Sequence, residues 1–449
     1  MHETYDLDRL LELVRQKKPR ELKAALSQMN EVDIASFLDE LAPEQVILVF
    51  RLLPKGLAAD VFAYLEDSDD QERLINALND KELREVMDEL YLDDAVDIIE
   101  DMPANVVSRI LRNTPAATRS QINQLLNYPK DSAGSIMTTE FVSLHPDETV
   151  EQSFARIRKE GVDKETIYTC YVTRNRVLLG VVTVKRMLLA PSDARVSDIM
   201  ETHVVSVSTH EDKEQVAQLF SKYDLTAMPV VDSDNRLVGI VTFDDAMDVM
   251  EEETTEDIEK MAAISPSDKP YLKTGVFELW RHRVPWLLLL MISATFTGMI
   301  LGYFEESLAA NAALMLFVPM LMDTGGNSGG QSSVTVIRAL SLGDVEFSDW
   351  LSVVWKELRV AALCAATLGA VVFLKVILLD RKGLDVALVV ALAVVVTIVL
   401  AKLVGCTLPM LAKRLGLDPA VMASPFITTI VDALSLLVYF AIAVAILHI

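Results

Sequence analysis

The sequence predicts a multi-domain chain: an α-helical solenoid N domain, an α/β tandem pair, and an all-α membrane domain of five transmembrane helices. Three observations predict it. Short amphipathic stretches fill residues 1–130, one block recurs within 131–252, and five long apolar runs follow residue 271. Charge is divided as unevenly as hydropathy. The 12 basic and 12 acidic residues from Tyr271 onward cancel, so the formal charge of −24 belongs to the first 270 residues. Such a surface repels nucleic acid and anionic lipid and attracts divalent cations.

In the N domain, apolar residues recur at three- and four-residue spacing in Val46–Leu53 and again in Leu83–Leu90. Punctuation such as Leu41-Ala42-Pro43 and Leu78-Asn79-Asp80 marks helix starts. Regular spacing of short helices predicts stacked helix pairs. The three cysteines, Cys170, Cys364 and Cys406, are too scattered for a disulfide framework or a metal-ligand spacing. The opening residues lack the basic and apolar regions of a signal peptide, so the N-terminal part is expected to stay cytosolic.

The repeat aligns Ser135-Ile136-Met137-Thr138-Thr139 with Asp198-Ile199-Met200-Glu201-Thr202, and Leu179-Gly180-Val181-Val182-Thr183 with Val238-Gly239-Ile240-Val241-Thr242. Each unit reads as a strand, a helix, two strands and a closing helix. The region resembles a tandem CBS pair. That resemblance implies a ligand sensor, often of adenosine nucleotides, with an Asp three residues after the Thr holding the ribose. Asp245 fills this position in the second unit and Arg186 in the first. ATP is accordingly a candidate ligand at Asp245. An acidic helix follows within 246–270, and Pro266 and Pro270 punctuate the approach to the membrane. That many acids on one helix imply something positive against it.

The apolar runs span about 284–303, 311–339, 354–379, 384–411 and 421–447, each long enough to cross about 30 Å of hydrocarbon. Arg281, Arg283, Arg338, Lys356, Arg359, Lys413 and Arg414 fall on the cytosolic side if the N-terminus is inside; Arg381 and Lys382 run against the trend. The chain is thus expected in the cytoplasmic membrane, multi-pass, with a cytosolic N-terminus. Asp432 is the one charged residue after Asp418. A carboxylate there should face a wet cavity, a cation or a partner. The second run holds Pro319 and the stretch Asp323-Thr324-Gly325-Gly326-Asn327-Ser328-Gly329-Gly330-Gln331. Pro and Gly predict a broken helix whose freed carbonyls, with Asn and Gln, offer oxygen ligands to a hard cation.

The Pro319–Gln331 run and the last span resemble the MgtE family of magnesium transporters and channels, and the resemblance extends over nearly the whole chain. It implies a magnesium-selective homodimeric channel importing Mg2+, its pore lined by the second and fifth spans. Asp432 matches the pore carboxylate. Asp323, Gly325, Gly326, Asn327, Gln331 and Ser424 are the expected pore-lining residues. The resemblance also implies that cytosolic Mg2+ closes the pore by bridging acidic positions. These are Asp60, Asp93 and Asp97 in the N domain, and Asp212, Glu214, Asp224 and Asp245 in the CBS pair. Asp248, Glu253, Glu256 and Asp257 on the linking helix and Asp418 before the last span complete the set. Ser424 stands where the family pattern has Asn, and Asp323 adds a carboxylate. Two other functions fit the residues: a membrane-tethered nucleotide sensor, and an ion-coupled carrier of divalent cations such as Co2+ or Mn2+. No nucleophile–base pair, phosphate-binding loop or zinc spacing points to an enzyme.

Overall fold

A computed structural model of the chain describes residues 7–65, 68–100, 102–267, 271–305, 311–422 and 424–448, in two compact units, Met1–Met250 and Glu251–Ile449.

The first unit begins with ten described helices between Leu7 and Leu125, each of 8–10 residues. Helices this short are marginal alone, so stacking must hold them. Their inward faces are fully buried at Leu26, Ile34, Val61, Phe62, Leu74, Ile75, Leu83, Val96 and Ile110. Local chemistry sets the starts. Asn79 Oδ1 accepts from the Lys81 and Glu82 amides, while Glu82 returns a bond to the Asn79 amide. Pro43 occupies the first turn of its helix, where no amide donor is needed.

The repeat forms two three-stranded sheets, β1-β2-β3 (Phe141–Leu144, Thr166–Arg174, Val177–Thr183) and β4-β5-β6 (Val207–Ser208, Ala227–Val231, Leu237–Thr242). In each, the first pairing is parallel and the second antiparallel. The two halves exchange their leading segments. Thr138 bridges to Ile240 on β6, and Glu201 bridges to Val181 on β3. This exchange explains the repeated glycines. A Cβ on Gly180 would sit 2.6 Å from the Glu201 carbonyl, and one on Gly239 would sit 2.8 Å from the Thr138 carbonyl. The helix closing the second half and the acidic linking helix are one element, Phe243–Met261.

The second unit holds the C-terminal part of that helix and five long described helices. They are the first helix Val276–Tyr303, the glycine-rich helix Val318–Ser341, the third Trp350–Leu378, the fourth Leu384–Arg414 and the last Ser424–Leu447. Four candidate spans are long and apolar enough to cross a membrane, contained in 276–303, 347–378, 384–414 and 419–447. The glycine-rich helix is long enough, at about 36 Å, but its Asp, Asn, Gln, Ser and Gly residues dilute its hydropathy.

The expected break in that helix is absent: residues 318–341 form one continuous α-helix. Pro319 lies in its first turn, where the missing amide costs nothing. The glycines serve close packing instead of loosening the backbone. Gly329 and Gly405 meet so tightly that a Cβ on Gly405 would collide with the Gly329 carbonyl oxygen. A Cβ on Gly325 would lie 2.8 Å from Thr397, Val431 and Ser435 side chains. The helix therefore nests between the fourth and last helices. Its interior carbonyls are engaged in its own helical ladder.

Candidate functional site

The glycine-rich and last helices enclose a cavity of about 120 Å³, lined by Met322, Asp323, Gly326, Asn327, Thr428 and Asp432. Asp323 and Asn327 are four residues apart, so one turn of helix puts both on the same face. Gly326 supplies the depth of the cavity, because a Cβ there would lie 2.9 Å from Thr428 Cγ2. Asp432 Oδ1 is buried without any hydrogen-bond partner. Among the described residues it is one of few such atoms, and a buried carboxylate oxygen left unmatched fits an absent cation or its water. Asp323 is exposed in this chain, on the same opening. Four expected pore residues thus meet in one place: Asp323, Gly326, Asn327 and Asp432. Gly325 turns to the packing seam, and Gln331, one turn beyond Asn327, is exposed outside this lining. The Ser424 side chain lies outside the described residues.

A second acidic group gathers where the linking helix ends. Lys260 pairs with Glu256 and, at 2.7 Å, with Asp418. Burial alone would lower the ammonium pKa; its bonds to Asp418 and Glu256 outweigh burial and hold it raised. Ser341, at the end of the glycine-rich helix, donates to Asp257 Oδ2 at 3.1 Å. Burial raises the Asp257 pKa, with Asp418 adding to the effect. The positive partner expected against the acidic helix is thus a lysine of that same helix. Glu253 belongs to this part of the helix, one turn before Asp257.

In the first unit, the helix Leu92–Glu100 places Asp93, Asp94 and Asp97 near Glu140, Glu165, Asp244 and Asp245. One direct contact is the Leu92 amide donating to Glu140 Oε2 at 3.3 Å. Burial, reinforced by neighbouring carboxylates, pushes Asp93 and Asp245 up to about 7 and Glu165 up to about 9. Asp97 keeps an exposed surface and shifts upward for the same reasons. Asp245 Oδ2 also accepts from the Thr242 hydroxyl at 2.5 Å, the geometry that the Thr-x-x-Asp spacing requires. Glu165 Oε2 is buried and unpartnered. Among the described residues, no three acidic, His or Cys side chains converge tightly enough to hold a metal in this state. Carboxylates held loosely together suit a cation that keeps its waters.

The other expected acidic positions are dispersed. Asp60 is exposed, with its pKa raised by burial and then by Glu31 and Glu89. Asp212 caps the start of the helix Lys213–Tyr223 by accepting from the Glu214 amide, and Asp224 ends it in a left-handed conformation. Roughly 18 Å of helix separates those ends, so Asp212 and Asp224 cannot share one ion. Asp248 lies on the linking helix within the first unit. Sequence reasoning missed Asp94, Glu140, Glu165, Lys260 and Thr428. The first three would have shown as acids flanking the motifs already read.

Comparison with known proteins gives the same division. The family model for MgtE, described as a divalent cation transporter, matches residues 318–442. The MgtE intracellular N domain matches 29–131, and CBS domains match 133–193 and 196–252. A magnesium transporter MgtE of Thermus thermophilus is 38% identical over 440 residues, covering 97% of each chain. The chain belongs to the MgtE family. A Bacillus subtilis MgtE is 32% identical, over 93% of this chain and 94% of its own. Among solved structures, the cytosolic domain of the Mg2+ channel MgtE in complex with ATP superposes with a TM-score of 0.52. It is 36% identical and covers 54% of this chain and 99% of its own. The soluble part of a magnesium transporter gives 0.51 at 28% identity, covering 55% and 97%. MgtE proteins are transporters, not enzymes, and membrane proteins, in keeping with the apolar helices of the second unit.

Proposed function

We propose that this chain is a Mg2+ channel whose path runs through the cavity between the glycine-rich and last helices. The observation that carries this is Asp432 Oδ1, buried in an apolar helix, unpartnered, and facing a cavity shared with Asp323 and Asn327. Mg2+ dehydrates reluctantly and is usually held by one or two carboxylates through its waters. A homodimer would bring two Asp432 carboxylates to one axis. It would also shelter Asp323, whose exposure to lipid would be untenable. In this reading the glycine-rich helix is a fifth span, hidden from hydropathy because its polar face lines water. Five spans with a cytosolic N-terminus put the acidic unit in the cytosol of the importing cell.

Regulation follows from the charge. The carboxylates around Asp93, Asp97 and Asp245 repel one another, and cytosolic Mg2+ binding among them favours a more compact first unit. The linking helix, continuous from Phe243 to Met261, carries that change toward Glu256, Asp257 and Asp418. An ion shifts such an equilibrium only by its differential affinity for the two states. ATP binding at Asp245 in the second repeat is part of the proposal, supported by the ATP complex of the related cytosolic domain. The deciding test is Asp432→Asn in proteoliposomes loaded with a Mg2+ indicator. Near-complete loss of influx from a folded dimer is expected. Influx at the unsubstituted rate would refute the path.

A further inference from the structure

Within the second unit, three long helices meet at one buried polar node. Glu357 on the third helix accepts from Ser332 of the glycine-rich helix, Oγ to Oε2 at 2.5 Å. Lys402 on the fourth helix reaches Glu357 Oε2 at 3.5 Å and Ser332 Oγ at 3.2 Å. The lysine side chain is 6% exposed and the glutamate side chain 14%. Neither group takes part in the cavity, and Lys402 is the one charged residue between Asp385 and Lys413. An ion pair placed this deep is costly and marks a function. Its best-attested use is to set register.

The register in question is that of the glycine-rich helix. From Gly325 to Gly330 it has four glycines, whose contacts are to small side chains and, at Gly329, to the backbone of the fourth helix. Such a seam holds helices close but gives little grip on rotation about the helix axis. At residues 332 and 333 the grip appears. Ser332 bonds toward the third and fourth helices, while Ser333 Oγ donates to the Met422 carbonyl before the last helix, at 3.4 Å. Ser332 follows Asp323 by nine residues, or roughly half a turn of rotation at about 100° per residue. It therefore points away from the cavity and can act only through the helix.

We propose that Lys402 and Glu357 are positioning residues for ion permeation. Through Ser332 they fix the rotation of the glycine-rich helix and so aim Asp323 and Asn327 into the path. This rests on the cavity being the path.

The test uses the full-length chain in proteoliposomes with a cysteine reporter, Asn327→Cys, labelled by a water-soluble thiol reagent. The pair is neutralised together in K402M/E357Q, so that no unpaired charge is left buried, and K402R is the conservative control. The expected result is a K402M/E357Q protein that elutes as the unsubstituted one does. The reporter thiol at position 327 should be labelled at least tenfold more slowly, and Mg2+ influx should need severalfold more Mg2+ to half-saturate. K402R should stay within about threefold on both readouts. Should K402M/E357Q fail to fold, S332A decides, since it keeps the ion pair and removes only the link; slower labelling is again expected. Unchanged labelling and half-saturation in K402M/E357Q, or unchanged labelling in S332A, would overturn the anchor alone. A reporter thiol that is unreactive in the chain carrying Asn327→Cys alone would refute the cavity as a water-filled path, and the anchor with it.

Discussion

The carboxylates of the first unit make a prediction whose sign is fixed by their pKa values. Burial and mutual repulsion raise Asp93 and Asp245 from about 3.8 to about 7. A shift of roughly 3 units corresponds to about 4 kcal/mol. The two groups act on each other, so this is counted once, as an upper bound. With the folded pKa above the unfolded one, the native state holds the extra protons. The associated stability is complete below pH 4, fades as pH rises, and is gone above about 7. In EDTA, the first unit of the full-length chain should therefore melt lower at pH 8 than at pH 5.5. Between pH 5.5 and about 7 only roughly half of that, about 2 kcal/mol, is lost, so at about 2–4 °C per kcal/mol for a domain of this size the fall should be roughly 4–8 °C. Mg2+ should reverse the loss at pH 8 and do little at pH 5.5, where protons compete for the same oxygens. Calorimetry of the Mg2+ titration in two buffers of different ionisation enthalpy should show proton release near pH 7. Asp93→Asn should flatten the pH dependence in EDTA. A melting point that rises with pH in EDTA would refute the reasoning, as would an equal Mg2+ effect at both pH values.

Three further outcomes are expected. Asp323→Asn should raise the half-saturating Mg2+ concentration of influx about three- to tenfold, equivalent to about 0.7–1.4 kcal/mol, with maximal influx retained; an unchanged concentration series would count against its place on the path. Gly405→Ala drives a Cβ against the Gly329 carbonyl oxygen, which cannot swing aside. It should cost about 1–3 kcal/mol or more through overpacking, read as a lower melting temperature in detergent, and an unaltered melt would be evidence that the crossing is looser. Lys260→Met leaves Glu256 and Asp418 without their shared ammonium. Protease should then cut the segment after Met261 faster in EDTA, with millimolar Mg2+ restoring protection, and equal rates in EDTA would exclude Lys260 as the tether.

The organisation of the chain was legible because each region advertises itself by a different period. Three- and four-residue spacing marks the helices of the N domain. The recurrence of Ile-Met and Gly-x-Val-Thr marks the CBS pair, and long apolar runs mark the membrane helices. The repeat even held the reason for its glycines, although only the structure shows that each half lends its leading segment to the other. Asp432 was legible by isolation, as a lone charge in an apolar run. The same test applied to the fourth helix would have found Lys402. Its partner Glu357 sits near a helix start among Lys356 and Arg359, where a charge looks ordinary.

The glycine-rich helix misled because composition cannot distinguish two opposite uses of glycine. In a lone helix each glycine loosens the backbone by up to about 1 kcal/mol. Against two neighbours it permits contacts that any side chain would block, and those contacts keep the helix whole. Pro319 misled for a related reason, since its cost depends on whether it falls in the first turn or the interior. Both ambiguities turn on what lies across from a residue, and no local window contains that. The same limit explains the linking helix. Its acids called for a cation, and the one nearest at hand was Lys260, on the helix itself. A tethered ammonium next to Asp418 and Glu256 keeps those carboxylates neutralised when divalent ions are scarce. On the proposed gating, Mg2+ would compete there with a partner that never diffuses away, so closing the pore should demand more Mg2+ than the carboxylates alone would.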